Sequence, residues 1–545
     1  MDAAGRIPGL DLVSIRWERV QLILETRIPP GAEVDPTSLE LSQRGGPGRM
    51  PPTCATTDGD RLTLRFNVMV GPGLVPLATG RWELGAPISR EATPGLDPAA
   101  ASGVFALQVG RYTVTPDFEP GNGGGSDVGN GTLVFEVGFD PTRRRIDAAP
   151  ARPTTTRRRV RHRLHETTVA IRRAALRVLV AAARRLQRRG RRRILFTSRL
   201  ISTMSGNLKV VRDRMVEREL DREYVLETML KPGLTDRWAF RDRFRLASSL
   251  ARADVIVLDD SFPPLDWVAV DPGVGIIQLW HASGAFKTVG YSRTGKPGDL
   301  DPWSSFQKDY TAAIVSSDHD VPFYAEAFGI PESRVIPTGI PRMDRFFDPE
   351  ARAAGEASAR AAFPGSVGRW TVLLAPTYRG ETIRDATYAY ELLDYAALHA
   401  MCVERDAVVI IRMHPFVQQP PVIPEAFRDR ILDGSAAAID VNDLLFAVDL
   451  LITDYSSIVF EYSTLGRPML FYAYDLDEYV AARDFYEPFE SFVPGKIVRT
   501  FAELLDAIRR DDYEVEKVAD FAARHFAHLD AGSTDRVIDQ LIMAP

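Results

Sequence analysis

Hydrophobic and polar positions divide the chain into three regimes. Up to about residue 145 the apolar runs are short and rich in β-formers. They include Leu12-Val-Ser-Ile-Arg-Trp17, Val20-Gln-Leu-Ile-Leu-Glu25, Arg61-Leu-Thr-Leu-Arg-Phe-Asn67 and Thr132-Leu-Val-Phe-Glu-Val137. Clusters such as Gly45-Gly-Pro-Gly48 and Gly121-Asn-Gly-Gly-Gly125 separate them. This pattern predicts an N-terminal β-sandwich over 1–145, an accessory domain without a catalytic constellation. From Arg193 the pattern alternates strand with helix, which predicts parallel sheets. Strands are expected at Ile194–Ser198, Asp254–Leu258, Gly275–Trp280 and Ala312–Ser316. After a break near Phe363-Pro-Gly-Ser-Val-Gly368, others follow at Trp370–Ala375, Ala407–Arg412, Leu450–Thr453 and Pro468–Tyr472. Two Rossmann-like units, 194–365 and 366–545, would enclose a cleft lined by loops of both sheets. Helices Phe501–Arg510 and Val515–Phe526 would complete the second unit, the last placed to cross back to the first.

Between these regimes lies 146–193, with sixteen arginines from Arg152 to Arg193 and one acidic residue, Glu166. Pro153-Thr-Thr-Thr156 reads as a linker and a helix is expected from about Leu164. At helical spacing Leu164, Ile171, Ala175, Val178, Leu179, Ala182 and Leu186 share one face, with Arg173, Arg177, Arg184 and Arg188 opposite. A basic amphipathic helix predicts binding to anionic lipid. The competing reading is a linker helix packed on its own protein. Nucleic acid is not expected as a partner, because no aromatic residues interleave with the arginines.

Composition adds little to this division. At 545 residues the chain should hold about three to four domains. A 45% apolar and 26% charged composition with net charge −6 is ordinary for a globular protein and names no partner. Cys54 and Cys402 fit neither a disulfide framework nor a metal spacing, which favours a reducing compartment. The first residues lack a basic region followed by an apolar run, and no apolar run reaches the roughly 18 residues of a membrane span. The expected location is cytoplasmic, peripheral on the inner membrane face.

The candidate chemistry sits directly after strands. Ile452-Thr-Asp-Tyr-Ser-Ser-Ile-Val-Phe-Glu461 reads as a strand end, a polar turn and a helix start, where open α/β sheets bind ligands. Ser456 and Ser457 would offer hydroxyls and backbone N–H groups to a diphosphate; the alternative is that Asp454 or Ser456 only caps the helix. Arg412 and His414, at i and i+2 of an extended segment, would add positive charge. Glu461 could accept ribose hydroxyls. In the first unit His281, beside Ser283 and Gly284, is a general-base candidate, and Lys287 could meet a phosphate. Neither a Gly-x-Gly-x-x-Gly nor a P-loop motif occurs, which argues against a dehydrogenase or NTPase. Asp475-Leu-Asp477 has no supporting motif, so no essential metal is expected.

Together, Trp280-His281 with Lys287, Thr338-Gly-Ile-Pro-Arg-Met-Asp344, Ala375-Pro-Thr-Tyr-Arg379, Arg412-Met-His-Pro415 and Thr453-Asp-Tyr-Ser-Ser457 with Glu461 resemble the CDP-glycerol glycerophosphotransferase family of teichoic acid and wall-polymer biosynthesis. Ser205-Gly-Asn207 resembles a further family feature. The resemblance spans about residues 194–530. It implies a GT-B fold, a CDP-glycerol or CDP-ribitol donor, a lipid-linked polymer acceptor, and displacement at phosphorus without cofactor or metal. By position it makes His281 the base and His414 a second catalytic residue. Pro376, Thr377, Arg412, Met413, His414, Ser456, Ser457 and Glu461, with Ser283 and Gly284, would form the donor pocket, and Lys287, Arg379 and Asp454 would lie close by. The usual Trp-His-Gly-Thr-Pro-Leu-Lys loop is replaced here by one a residue longer, with Ala282-Ser-Gly-Ala-Phe before Lys287. Two alternatives stay open: a GT-B nucleotide-sugar glycosyltransferase, and an inactive membrane scaffold for polymer assembly.

Overall fold

The computed structural model describes residues 9–89, 97–120, 130–143, 156–185, 190–199, 201–231, 240–268, 270–296, 299–304, 307–380 and 385–544. Ten strands between Leu10 and Asp140 hydrogen-bond into one continuous sheet, not the two separate sheets of the expected sandwich. Its halves join where Leu10 and Asp11 pair in parallel with Ile88 and Ser89. Leu22, Leu64 and Phe66 of one half share a core with Trp82, Tyr112 and Phe135 of the other. This domain is fixed to the next by the Arg19–Glu326 ion pair, 2.6 Å, and by buried Lys308, whose Nζ donates to the carbonyl of Leu74 at 2.6 Å.

The helix Thr156–Arg185 follows. Leu176 and Val180 are buried against the helix Phe240–Arg252. Much of the face expected to be apolar points the other way: Ile171 is 64% exposed and Val178 67%, and Ala175 and Ala182 are exposed with them. The arginines do not form a free opposite face. Arg173 lies 5.6 Å over the Trp267 ring, Arg177 donates to the Trp267 carbonyl at 2.7 Å, and Arg184 is half-buried. Leu186 and Arg188 lie outside the described residues, as does the side chain of Leu164. No described helix is long and apolar enough to cross a membrane.

Two six-stranded parallel sheets follow. The first runs Val225–Met229, Arg193–Thr197, Val255–Leu258, Gly275–Gln278, Ala312–Ile314, Val335–Ile336. The second runs Ile431–Asp433, Ala407–Ile411, Trp370–Leu374, Leu450–Thr453, Met469–Tyr472, Lys496–Val498. Counted in chain order within its unit, the second is 3-2-1-4-5-6, the doubly wound order that opens a ligand crevice beyond strands 1 and 4. The loops there are Ala375-Pro-Thr377 and Asp454-Tyr-Ser-Ser457. The central strands are uniformly buried and almost wholly apolar, as sheets covered by helices on both faces require. The chain end returns to the first unit: Arg214 grips Asp535 through two hydrogen bonds of 2.9 and 2.8 Å, and Arg218 bonds Asp539 at 2.6 Å.

Candidate active site

His281 leaves the end of strand Gly275–Gln278 through a strained residue. Trp280 has φ 52°, a left-handed conformation costly for a bulky side chain. Asn207 holds that turn, donating to the Trp280 carbonyl at 2.8 Å and accepting the Arg342 amide at 3.0 Å. Trp280 itself packs edge-on against Phe328, 5.2 Å between rings. His281 remains accessible to solvent, yet burial by the surrounding protein lowers its pKa below the usual 6.5 despite the nearby Asp260 charge. Its Nδ1 lies 3.4 Å from the carbonyl oxygen of Asp259. That acceptor favours a proton on Nδ1 and leaves the Nε2 lone pair free for a base. Asp259 and Asp260, the strand end behind His281, were not singled out from sequence. Burial raises Asp259 to about 6.

The loop after His281 is docked onto the second unit. Ser283 Oγ donates to Glu461 Oε1 at 2.8 Å, and Arg342 donates to both, to Ser283 Oγ at 2.9 Å. Glu461 is thus engaged in a buried seam between units, where a ribose contact had been expected. Gly284 is a packing residue: a Cβ there would stand 2.2 Å from Phe460 Cε1. Lys287 and Phe485 form an antiparallel bridge, flanked by Thr288 N to Asp484 O at 2.9 Å and Tyr486 N to Phe286 O at 2.9 Å. Lys287 therefore projects toward the second unit's loops. Burial depresses its pKa to about 8, against the opposing pull of Asp454.

His414 follows strand Ala407–Ile411, packed 4.9 Å from Tyr378 and 4.5 Å from Phe416. Burial, then the charge of Lys287, lowers its pKa. Its Nδ1 accepts the Phe416 amide at 3.2 Å, so the neutral ring carries its proton on Nε2. Thr377 donates its amide to Asp454 at 2.7 Å, while its buried hydroxyl has no partner. Ser457 is exposed and makes no capping bond, and Ser456 Oγ accepts only a long contact of 3.4 Å from Ile458 N. The helix they precede, Ile458–Ser463, has six residues. Pro376 lies in the loop after strand Trp370–Leu374, and Met413 is buried.

Arg412 and Arg379 are both held by partners within the protein. Arg412 donates to the carbonyls of Gly434, Ala437 and Ile439, at 2.5, 3.0 and 2.9 Å, bracing the loop after strand Ile431–Asp433. Arg379 is consumed by Asp475 (2.5 and 2.8 Å), the Thr377 carbonyl (2.6 Å) and Asp454 (2.9 Å), amid the rings of Tyr455, Tyr474 and Tyr479. Arg342 was quoted in the sequence only as part of a motif; its place across the seam follows from tertiary packing.

His281 follows a strand of the first Rossmann-type unit and His414 a strand of the second, with half-buried Lys287 on the docked loop close enough for its charge to reach His414, an arrangement of the transferase class. Residues 179–543 match the family described as CDP-Glycerol:Poly(glycerophosphate) glycerophosphotransferase, and the chain belongs to that family. It is similar to the teichoic acid ribitol-phosphate polymerase TarK of Staphylococcus aureus, 46% identical over 348 residues, 64% of this chain and 68% of that protein. The teichoic acid poly(ribitol-phosphate) polymerase of Bacillus spizizenii is 35% identical over 350 residues, 64% of this chain and 56% of that protein. The teichoic acid glycerol-phosphate primase of Bacillus subtilis is 27% identical over 268 residues, 48% and 66% of the two chains. Among solved structures, the wall teichoic acid polymerase TagF shares the fold, with a TM-score of 0.55 at 21% identity over 71% of this chain and 96% of that one.

Proposed function

We propose that this protein transfers ribitol phosphate from CDP-ribitol to a hydroxyl of a wall-polymer acceptor, releasing CMP. The observation that carries the reading is the complementary wiring of the two histidines: His281 has a free Nε2 lone pair, His414 a free Nε2–H. The choice of ribitol over glycerol rests on the similarity to ribitol-phosphate polymerases at 46% and 35% identity, against 27% for the glycerol-phosphate primase.

In this reading the acceptor hydroxyl gives its proton to His281 Nε2 as its oxygen attacks the β-phosphorus. The new O–P bond forms while the bond from that phosphorus to the bridging oxygen breaks, and CMP departs. Phosphoryl transfer asks mainly for positioning and for stabilisation of the charge on non-bridging and leaving oxygens. Lys287 supplies a cation, His414 an Nε2–H donor and Thr377 an unpaired hydroxyl, with Ser456 and Ser457 at the rim. The exposed Ile171 and Val178 of the arginine-rich helix would rest on a membrane carrying a lipid-linked acceptor. The test is CMP release with an acceptor oligomer and CDP-ribitol or CDP-glycerol at equal concentration. The reading expects a clear preference for CDP-ribitol; equal or reversed preference would refute the donor assignment.

A further inference from the structure

Behind the loop that carries His281, four side chains converge whose chemistry the transfer reaction leaves unused. His319 and Asp320 come from the first unit, just before helix Val321–Phe328, and Glu487 and His525 from the second. One donor atom from each of His319, Glu487 and His525 lies within 4.8 Å of the others. His319 Nε2 is 2.8 Å from Glu487 Oε1.

His525 is the anomaly. It is completely buried, boxed by Phe460, Phe492 and Phe521 with ring distances of 5.3, 5.3 and 4.4 Å. Neither ring nitrogen has a hydrogen-bond partner. An imidazole always carries a lone pair or an N–H at each nitrogen, and leaving such groups unpaired in an apolar box is costly. Asp320, also fully buried, has an unpartnered Oδ2, and its Oδ1 stands 3.7 Å from His525 Nδ1. Two carboxylates, Glu487 and Asp320, face one cation, Arg524, which pairs with Glu487. The cluster therefore has room for another positive charge.

We propose that His319, Glu487 and His525 bind a divalent transition metal, zinc by preference, as a clip between the two units. Two imidazoles and one carboxylate are a zinc donor set. Asp320 stands where an outer carboxylate orients a ligating imidazole, and Arg524 does the same for Glu487. A tetrahedral ion with bonds of about 2.0–2.2 Å needs ligand atoms closer than 4.8 Å, so His319 and Glu487, on the cavity side, would draw in on binding. A cavity of about 730 Å³, lined by His319, Glu487, Arg19 and Tyr486, leads to the cluster and gives an ion its entry path. The clip would not touch the reacting groups. It would steady them: Asp320 Oδ1 accepts the amide of Ala285 at 3.3 Å, in the His281 loop, and Phe460 precedes Glu461 in the seam.

The test uses tag-free, metal-stripped full-length protein and Zn²⁺ alone, read by elemental analysis after gel filtration and by melting temperature. About one zinc per chain and a higher melting temperature are expected for wild type. Both should be lost in His319→Asn and in Glu487→Gln, positions at the cluster's edge whose metal-free forms should melt close to metal-free wild type. No bound zinc in folded wild type, or equal binding by wild type and both variants, would overturn the proposal. Neither readout depends on transfer activity, so failure of the clip and failure of the functional reading are distinct.

Discussion

The imidazole of His281 places Nδ1 3.4 Å from the carbonyl oxygen of Asp259, and burial holds the ring neutral below its usual pKa. Neutrality is what a base needs, so the acid limb of the rate profile should fall below pH 6.5. His281→Ala should lower turnover by about 10²–10⁴-fold. Donor affinity, measured by calorimetry, should be nearly unchanged, because the loops proposed to hold the nucleotide belong to the other unit.

Lys287 is expected to behave oppositely. Its pKa of about 8 means that it is charged below that value and increasingly neutral above it. Affinity for a CDP-alditol should therefore weaken as pH rises through about 8. Lys287→Met should weaken binding at neutral pH by roughly tenfold or more, the range of a lost charge-assisted bond, and flatten the alkaline dependence.

For Arg412 the expected loss is one of stability. Its three carbonyl bonds tie down the loop 434–439. Arg412→Ala should destabilise the protein by about 1.5–3 kcal/mol in denaturant unfolding, with donor affinity in the folded fraction changed less than in Lys287→Met. A direct phosphate contact would give the reverse order.

Gly284→Ala tests the docking of the two units. A Cβ 2.2 Å from Phe460 forces the His281 loop off the helix Ile458–Ser463. Such overpacking costs about 1–3 kcal/mol, and transfer should fall together with melting temperature.

Much of this arrangement was legible in the sequence, and what escaped has physical causes. The eight strands anticipated after Arg193 are all present, because covered parallel strands read as continuous apolar runs. The four others, Val225–Met229, Val335–Ile336, Ile431–Asp433 and Lys496–Val498, are all sheet edges, short or half-buried, and mixed in composition. Strand ends located the candidate loops, but side-chain direction was not readable. Arg412 turns to carbonyls 22–27 residues away in sequence, and Glu461 to Ser283 and Arg342. The arginine helix misled because Ala174–Ala183 is apolar nearly all round apart from Arg177. Periodicity then offers two stripes, and tertiary packing chose Leu176 and Val180 for burial.

That choice leaves Ile171 and Val178 outside. If this surface meets lipid, Ile171→Asp with Val178→Asp should reduce sedimentation with anionic vesicles while sparing transfer to a soluble acceptor. Sedimentation equal to wild type would assign the helix to internal packing alone.

The most direct test of the account is the identity of the nucleotide released when the protein, CDP-ribitol and an acceptor oligomer are mixed. Attack at the β-phosphorus predicts CMP, formed one for one with each ribitol phosphate added, and its near-complete loss in His281→Ala. Release of CDP would mean reaction at carbon, and CMP formation undiminished in His281→Ala would remove the base from the mechanism; either result would contradict the account.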